Sequence, residues 1–489
     1  MLFNSHIFML LFLPLLLAGW YFLNWKKKFQ LAQGYLIGMS LWFYAYANLQ
    51  YLWLLLFSCL IGWLLSCLPE KIFSEKGKKV LTGVGCVFHL GLLGYFKYSN
   101  FFLENLNTVF HTDFPMLQIL LPVGISFYTF QQLAYLIDRC RGDAPRDSFF
   151  DYLTFMVYFP QLLQGPILLR SEFMGQLKEP ERRRFHAERF SEGIQFFVFG
   201  LAKKVLLADT LAKAVNYGYS NVSMLDSISA LLLAVGYLTE LYFDFGGYCD
   251  MAVGLGKMIG LEVAENFDAP FHSASVKEFW RRWHMTLGRF FTRYVYIPLG
   301  GNRRGKMRTL CNVMIVMLLS GLWHGAAWTF VLWGFLHGVG MIWDNLEHPH
   351  LPKKWMRQAA TFAYVCMTFV FFRAESIAQG FDVLKSIVSL KWNGFVFQMA
   401  SALDMTEFYM ITKALSMKLP GLLSWFWLGI FVVLIAICFR VLSGEKVSGV
   451  VALQRQKGYG RLYPVLLAVL FTWSMISMTG VSEYLYFSF

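Results

Sequence analysis

His324 lies inside a long uncharged stretch. From Thr309 to Trp343 the chain has no Asp, Glu, Lys or Arg, and the centre reads Ser320-Gly321-Leu322-Trp323-His324-Gly325. An ionisable side chain at membrane depth is costly, so its presence suggests a function before it suggests packing. Imidazole is also the side chain best suited to give and take protons near neutral pH. A second histidine, His284, ends the segment Trp280-Arg281-Arg282-Trp283-His284. The two together suit proton transfer at a reacting group. A buried neutral histidine can equally do no more than bond a nearby carbonyl, and from its surroundings in the sequence alone both readings of His324 stay open.

The segment 277–308 around His284 is the most unusual in the chain. Read as a helix, it puts Trp280, Trp283, His284 and Leu287 on one face, with Arg281 and Arg282 elsewhere, and lets Glu278 pair with Arg282. One reading is an interfacial helix with its basic side on lipid headgroups. The other is a platform at the cytoplasmic mouth of a cavity. There Arg281 and Arg282, with Trp283 and Trp323, are candidates to hold the phosphates and body of a donor such as coenzyme A. Tyr242–Ala252 sets Asp244 and Asp250 in a glycine-broken apolar context. These acids could hold a helix break by accepting backbone N–H bonds, or bind a proton or ion; the structural role is favoured. The chain ends Glu483-Tyr484-Leu485-Tyr486-Phe487-Ser488-Phe489. That aromatic tail reads as an interface anchor, or as a means of bringing the Tyr486 hydroxyl into a cavity. Phosphate loops, zincin helices and Gly-x-Ser-x-Gly elbows are absent, which disfavours hydrolysis at a serine or metal site.

The elements that must carry these residues are membrane spans. The 489 residues are 57% hydrophobic and 15% charged, where a soluble domain carries about 25% charged residues. The apolar residues gather in runs long enough to cross a bilayer, at 7–23, 31–47, 51–67, 80–96, 194–207, 228–245, 310–343, 361–372, 425–441 and 463–478. The run 194–207 is the weakest, carrying Lys203 and Lys204. The stretches 117–137 and 149–169 are interrupted by Pro122, Gly124, Pro160, Gly165 and Pro166. They read as re-entrant or broken helices, tolerated only where protein or a cavity surrounds them. As one helix, 310–343 would run about 50 Å across a hydrocarbon core of about 30 Å. It must bend or split, and Gly321, Gly325, Ala326 and Ala327 mark the place. The formal charge of +13 collects in loops that read as cytoplasmic, at 26–28, 70–79, 178–189, 277–308, 353–357 and 445–461. Membrane lipid, not nucleic acid, is therefore the expected partner. The eight cysteines form no CxxC pair, so neither a disulfide framework nor a metal site is expected. The expectation is an all-α, polytopic integral membrane protein, one domain over 1–489, with an external aromatic tail at 479–489.

Seven segments in order carry a resemblance. They are Leu121-Pro-Val-Gly-Ile-Ser-Phe-Tyr-Thr-Phe130, Phe159-Pro-Gln-Leu-Leu-Gln-Gly-Pro166, Tyr242-Phe-Asp-Phe-Gly-Gly-Tyr-Cys-Asp250, Glu278-Phe-Trp-Arg-Arg-Trp-His284, Tyr296-Ile-Pro-Leu-Gly-Gly-Asn-Arg303, Gly321-Leu-Trp-His-Gly325 and Phe371-Phe-Arg-Ala374. Together they resemble the membrane-bound O-acyltransferase superfamily, in its bacterial branch typified by the membrane subunit of alginate O-acetylation. The resemblance implies a multi-helix fold around a transmembrane funnel. It maps the family's catalytic histidine onto His324 and its second characteristic histidine onto His284. It implies transfer of an acyl group, usually acetyl, from a cytoplasmic thioester such as acetyl-CoA to an extracellular or periplasmic polysaccharide, with no bound cofactor. An exported partner of Ser-His-Asp hydrolase-like fold and a multi-pass location in the inner (cytoplasmic) membrane belong to the same picture. The tail is similar to a terminal Phe-x-Tyr-x-x-Phe motif linked to acyl relay in teichoic-acid D-alanylation, with Tyr484 in place of the first Phe; Gly246 stands where Ser is common.

The mechanism this implies has His324 as general base toward an acceptor hydroxyl, that of Tyr486 or of the outside partner. His284 or the Trp323 N–H would meet the oxyanion. Two alternatives remain within acyl transfer, D-alanylation of teichoic acid and acylation of a lipid or protein. A third, of another class, is an ion or solute transporter using Asp244, Asp250, His284 and His324; the lack of visible inverted repeats speaks against it.

Overall fold

A computed structural model describes the chain except residues 68–74, 347–350, 443–445, 459, 461, 479–483 and 486–489. Among the described residues helices follow one another and no strand is present. Six helices are long and apolar enough to span a bilayer: Phe8–Trp25, Leu49–Cys67, Lys76–Phe110, Ser227–Ile259, Lys306–His324 and Pro420–Val441. Trp328–Trp343 and Leu462–Ser477 are shorter apolar helices, and Phe29–Asn48 and Lys354–Arg373 cover two further expected runs. In a bilayer every backbone polar group must find its partner within the protein, and helices do this with their own bonds.

The overlong stretch does split. Lys306–His324 ends on the histidine, residues 325–327 are non-helical, and Trp328–Trp343 returns beside the first helix. Glycines let the two backbones touch: a β-carbon on Gly321 would lie 3.3 Å from the α-carbon of Gly334, and the reverse. The proline-broken stretches also behave as read. Residues 112–124 are non-helical before Ile125–Arg141, and Phe149–Val157 gives way to the single turn Phe159–Leu162.

Three expectations are corrected. The run 228–245 belongs to an unbroken helix, Ser227–Ile259, so Asp244 and Asp250 hold no break. Gly246 and Gly247 do not end this helix, because tertiary contact outweighs their low intrinsic propensity. The run 194–207 is a helix, Ala187–Ala202, followed by a π-helical turn, Lys203–Ala208. The segment 277–308 is not one helix but two short ones, Val276–Arg282 and Met285–Phe291, with a corner at Trp283–His284.

Ser227–Ile259 is the central pillar. Of its apolar window 78% is buried, against 39% or less for every other long span. It crosses Ala187–Ala202 through two facing glycine pairs, Gly193 with Gly254 and Gly200 with Gly247. A β-carbon on any of them would stand 2.5–2.7 Å from the carbonyl oxygen opposite. The two acids meet the two lysines that had weakened the 194–207 reading. Lys203 Nζ lies 2.7 Å from Asp250 Oδ2, and Lys204 Nζ 2.6 Å from Asp244 Oδ1 and 2.8 Å from Asp209 Oδ1. Asp244 also accepts the Leu485 N–H through Oδ2 at 3.1 Å. Tyr484, beside it, is fully buried, under the Lys204 ammonium (4.6 Å) and edge-on to Tyr248 (5.1 Å). So the described part of the tail is packed inside the protein and not spread at an interface.

Breaking a buried pair leaves one charge uncompensated, at a cost of about 3–5 kcal/mol. Lys204→Met should therefore lower the thermal midpoint in detergent sharply, while Lys204→Met with Asp244→Leu should be less destabilised than the sum of the single changes. Additive losses across that cycle would show that the pair does not couple.

Candidate active site

His324 is the last residue of its helix, where carbonyls lack intrahelical partners. At membrane depth water cannot supply them, and a neighbouring span does. Tyr98 Oη donates to the Leu322 carbonyl at 2.6 Å, and Lys97 Nζ donates to those of Trp323 at 2.6 Å and His324 at 2.9 Å. Both donors come from the π-helical turn Gly94–Tyr98, a local widening frequent at functional sites. The His324 ring stands among Trp323, Trp333 and Phe372, at centroid distances of 4.9, 5.1 and 5.2 Å. It is 4% exposed. Even so, His324 lines a cavity of about 50 Å³, together with Lys97, Pro122, Gly124, Phe127 and Leu163. Gly124 turns the 112–124 strap into the next helix at φ 79°, a conformation that suits glycine.

His284 occupies the corner between its two short helices, at φ 45° and ψ 52°. Outside glycine this left-handed region is uncommon, with histidine among the residues enriched there. Asn266 holds the corner. Its backbone carbonyl accepts the Met285 N–H at 2.9 Å. Its Oδ1 accepts the Thr286 N–H at 3.1 Å and the Thr286 hydroxyl at 3.0 Å, and lies 3.2 Å from His284 Nδ1. A backbone N–H can only donate, so the atom facing it is the amide oxygen. His284 Nδ1 must then carry its proton, which leaves Nε2 as the lone-pair nitrogen. His284 is fully buried, and its ring centroid lies 6.4 Å from that of His324 and 6.1 Å from that of Trp323.

The two histidines singled out from sequence are thus brought together, and the other candidates separate. Trp323 packs beside both rings, but its indole N–H faces the Ser126 carbonyl at 3.5 Å. Trp283 is buried against Phe267, Phe279 and Phe369. Arg282 bonds Glu278, as expected, at 2.8 Å and the Asp268 carbonyl at 3.3 Å. Arg281 is exposed and has no ion pair among the described residues, as do Arg303, Arg304 and Lys306. Tyr486 lies outside the described residues. A third buried histidine, His337, spends both ring nitrogens inside the fold: Trp280 Nε1 donates to Nδ1 at 3.2 Å, and Thr368 Oγ1 is 2.9 Å from Nε2.

A much larger cavity, about 1160 Å³, lies elsewhere. It is walled by Lys203, Tyr242, Asp250, Phe267 and the helices Pro420–Leu442 and Leu462–Ser477, and neither histidine lines it. Phe245 stands between, with ring centroids 5.3 Å from Phe267 and 4.8 Å from His284. Volume alone would have pointed to a chamber that neither histidine lines. Among the described residues no group of three or more His, Cys, Asp or Glu side chains is arranged to hold a metal.

Sequence reasoning missed Asn266, Thr286, Tyr98 and Lys97. For Lys97 a signal existed, because it is an ionisable residue at the end of an apolar run. The other three carry no signal in one sequence.

Residues 141–380 match the family model of MBOAT, the membrane-bound O-acyltransferase family. The chain is 35% identical over 423 residues to a peptidoglycan O-acetyltransferase of Helicobacter pylori, covering 80% of each. It is 37% identical over 407 residues to a probable alginate O-acetylase AlgI of Pseudomonas aeruginosa, covering 80% of this chain and 75% of the relative. A teichoic acid D-alanyltransferase of Bacillus subtilis matches at 28% over 271 residues, 52% of this chain and 69% of the relative. Likeness of this extent, in a helical membrane scaffold that gathers two buried histidines, makes the chain a multi-pass O-acyltransferase of the membrane-bound O-acyltransferase family.

Proposed function

We propose that this enzyme carries an acetyl group from a cytoplasmic thioester, acetyl-CoA, across the inner membrane for O-acetylation of an extracellular or periplasmic polysaccharide. The observation that carries this reading is His324: a ring inside the bilayer-spanning body, bordering a cavity, with a second imidazole 6.4 Å away. In the proposed mechanism His324 is the general base toward an acceptor hydroxyl, and Asn266 orients His284 beside it. The exposed Arg281, with the basic loop that follows, meets the donor's phosphates; Arg282 and Trp283 act through the packing of that platform. The whole chain works as one domain. In this reading Tyr486, in the external aromatic tail 479–489, is the relay hydroxyl. The residue before it, Leu485, is held through its N–H by Asp244. An exported hydrolase-like partner then takes the acetyl group to the polymer.

Acetyl is preferred over D-alanyl because the O-acetylating relatives match at higher identity and over more of the chain than the D-alanyl transferases do. The ion-path reading is disfavoured because Asp244 and Asp250 are both paired with lysines.

His324→Ala should lower acetyl transfer by about 10²–10⁴-fold, the range that general-base catalysis contributes, with the protein still present and monodisperse when extracted from the membrane. Near-normal acetylation of cell-surface polymer by that variant would overturn the assignment. Tyr486→Phe removes only a hydroxyl. With radiolabelled acetyl-CoA it should abolish label retained on the denatured enzyme, and retained label in the variant would exclude Tyr486 as the relay.

A further inference from the structure

The Lys97 side chain has no carboxylate partner among the described residues. Two of its three N–H donors go to the Trp323 and His324 carbonyls, at 2.6 and 2.9 Å. It borders the same small cavity as His324. A cation held at membrane depth without a counter-charge is expensive. As a cap for a helix end alone it is more than the task needs, since Tyr98 caps the adjacent Leu322 carbonyl with a neutral hydroxyl. Acyl transfer creates an anion at this place for an instant. Donors fixed in advance where such charge develops, in a site closed to water, supply some of the largest single contributions to catalysis.

We propose that Lys97 is a catalytic residue, whose remaining N–H receives the negative charge that forms on the acyl carbonyl oxygen. The inference rests on the general-base reading of His324. As the acceptor oxygen bonds the acyl carbon, its proton passes to the His324 ring and the carbonyl π pair moves onto oxygen. That oxyanion lies against the Lys97 ammonium. On collapse the C=O bond reforms, the C–S bond breaks, and the departing thiolate takes the proton back from the imidazolium. The two bonds to the helix-end carbonyls keep the ammonium and the imidazole in a fixed relation throughout, so no reorganisation is needed when the charge appears.

The test uses the full chain in proteoliposomes with acetyl-CoA as donor, comparing Lys97→Met, Lys97→Gln and Tyr98→Phe. Lys97→Met should lower kcat by about 10²–10³-fold, the scale seen on removing one oxyanion donor, and leave KM within about threefold. Lys97→Gln keeps N–H donors without the charge and should recover part of that loss. Tyr98→Phe removes a cap only and should stay within about threefold of the parent kcat. Equal losses in Lys97→Met and Tyr98→Phe, or a Lys97→Met kcat within about threefold of the parent, would reduce Lys97 to a cap and overturn the proposal. His324→Ala, run in parallel, separates the two claims. If it is active, the general-base reading fails. If it is silent while Lys97→Met is unimpaired, only the role of Lys97 fails.

Discussion

A helix that stops inside a bilayer leaves carbonyls with nowhere to turn, and that constraint shapes this site. The span ending at His324 needs donors for its last turn. It obtains them sideways, from Tyr98 and Lys97 on a neighbouring span. Because those bonds exist, the chain can break at membrane depth without exposing polar backbone to lipid. Because it breaks there, a histidine can sit at a helix end beside a small cavity instead of along a packed helical face. The aromatic wall of Trp323, Trp333 and Phe372 then leaves the ring little freedom of orientation.

The second imidazole reaches the same place by a different route. Its corner is imposed by Asn266, which binds the backbone just after the turn, at Met285 and Thr286, and the ring itself. Asn266 follows the central pillar, Ser227–Ile259, whose position rests on glycine pairs that let it contact a neighbouring helix backbone to backbone. The pillar also carries the two acids that answer Lys203 and Lys204. Close packing, buried charge and the histidine pair are thus linked through one helix. A disturbance of the glycine crossing would be felt at His284, although the two do not touch.

What was legible in the sequence depended on whether one element or two decided the outcome. A 310–343 run too long for the bilayer had to break, and its small residues marked the place. The prolines of the 117–137 and 149–169 stretches were equally local signals. The continuity of Ser227–Ile259 was not local. Gly246 and Gly247 read as a break because the helix that accommodates Gly247 is distant in sequence. The left-handed turn at His284 was invisible for a related reason: apolar spacing over Trp280, Trp283 and Leu287 continues across the corner as though the helix did. Lys97 fell just outside an apolar run drawn to end at Phe96, so a charge read as a boundary was part of the interior. Asn266 gives no sign of itself without the fold, since its three acceptor contacts come from residues 284 and 286.

The backbone at His284 also narrows what chemistry could ever occupy that corner. With φ at 45°, β-branched and bulky side chains are outliers there, while Asn, Asp and His are the residues that tolerate the region best. Each of those three carries a hydrogen-bonding head on a short stem. Drift at this position is therefore channelled toward other polar groups able to hold or pass a proton, and away from apolar replacements that would silence the position.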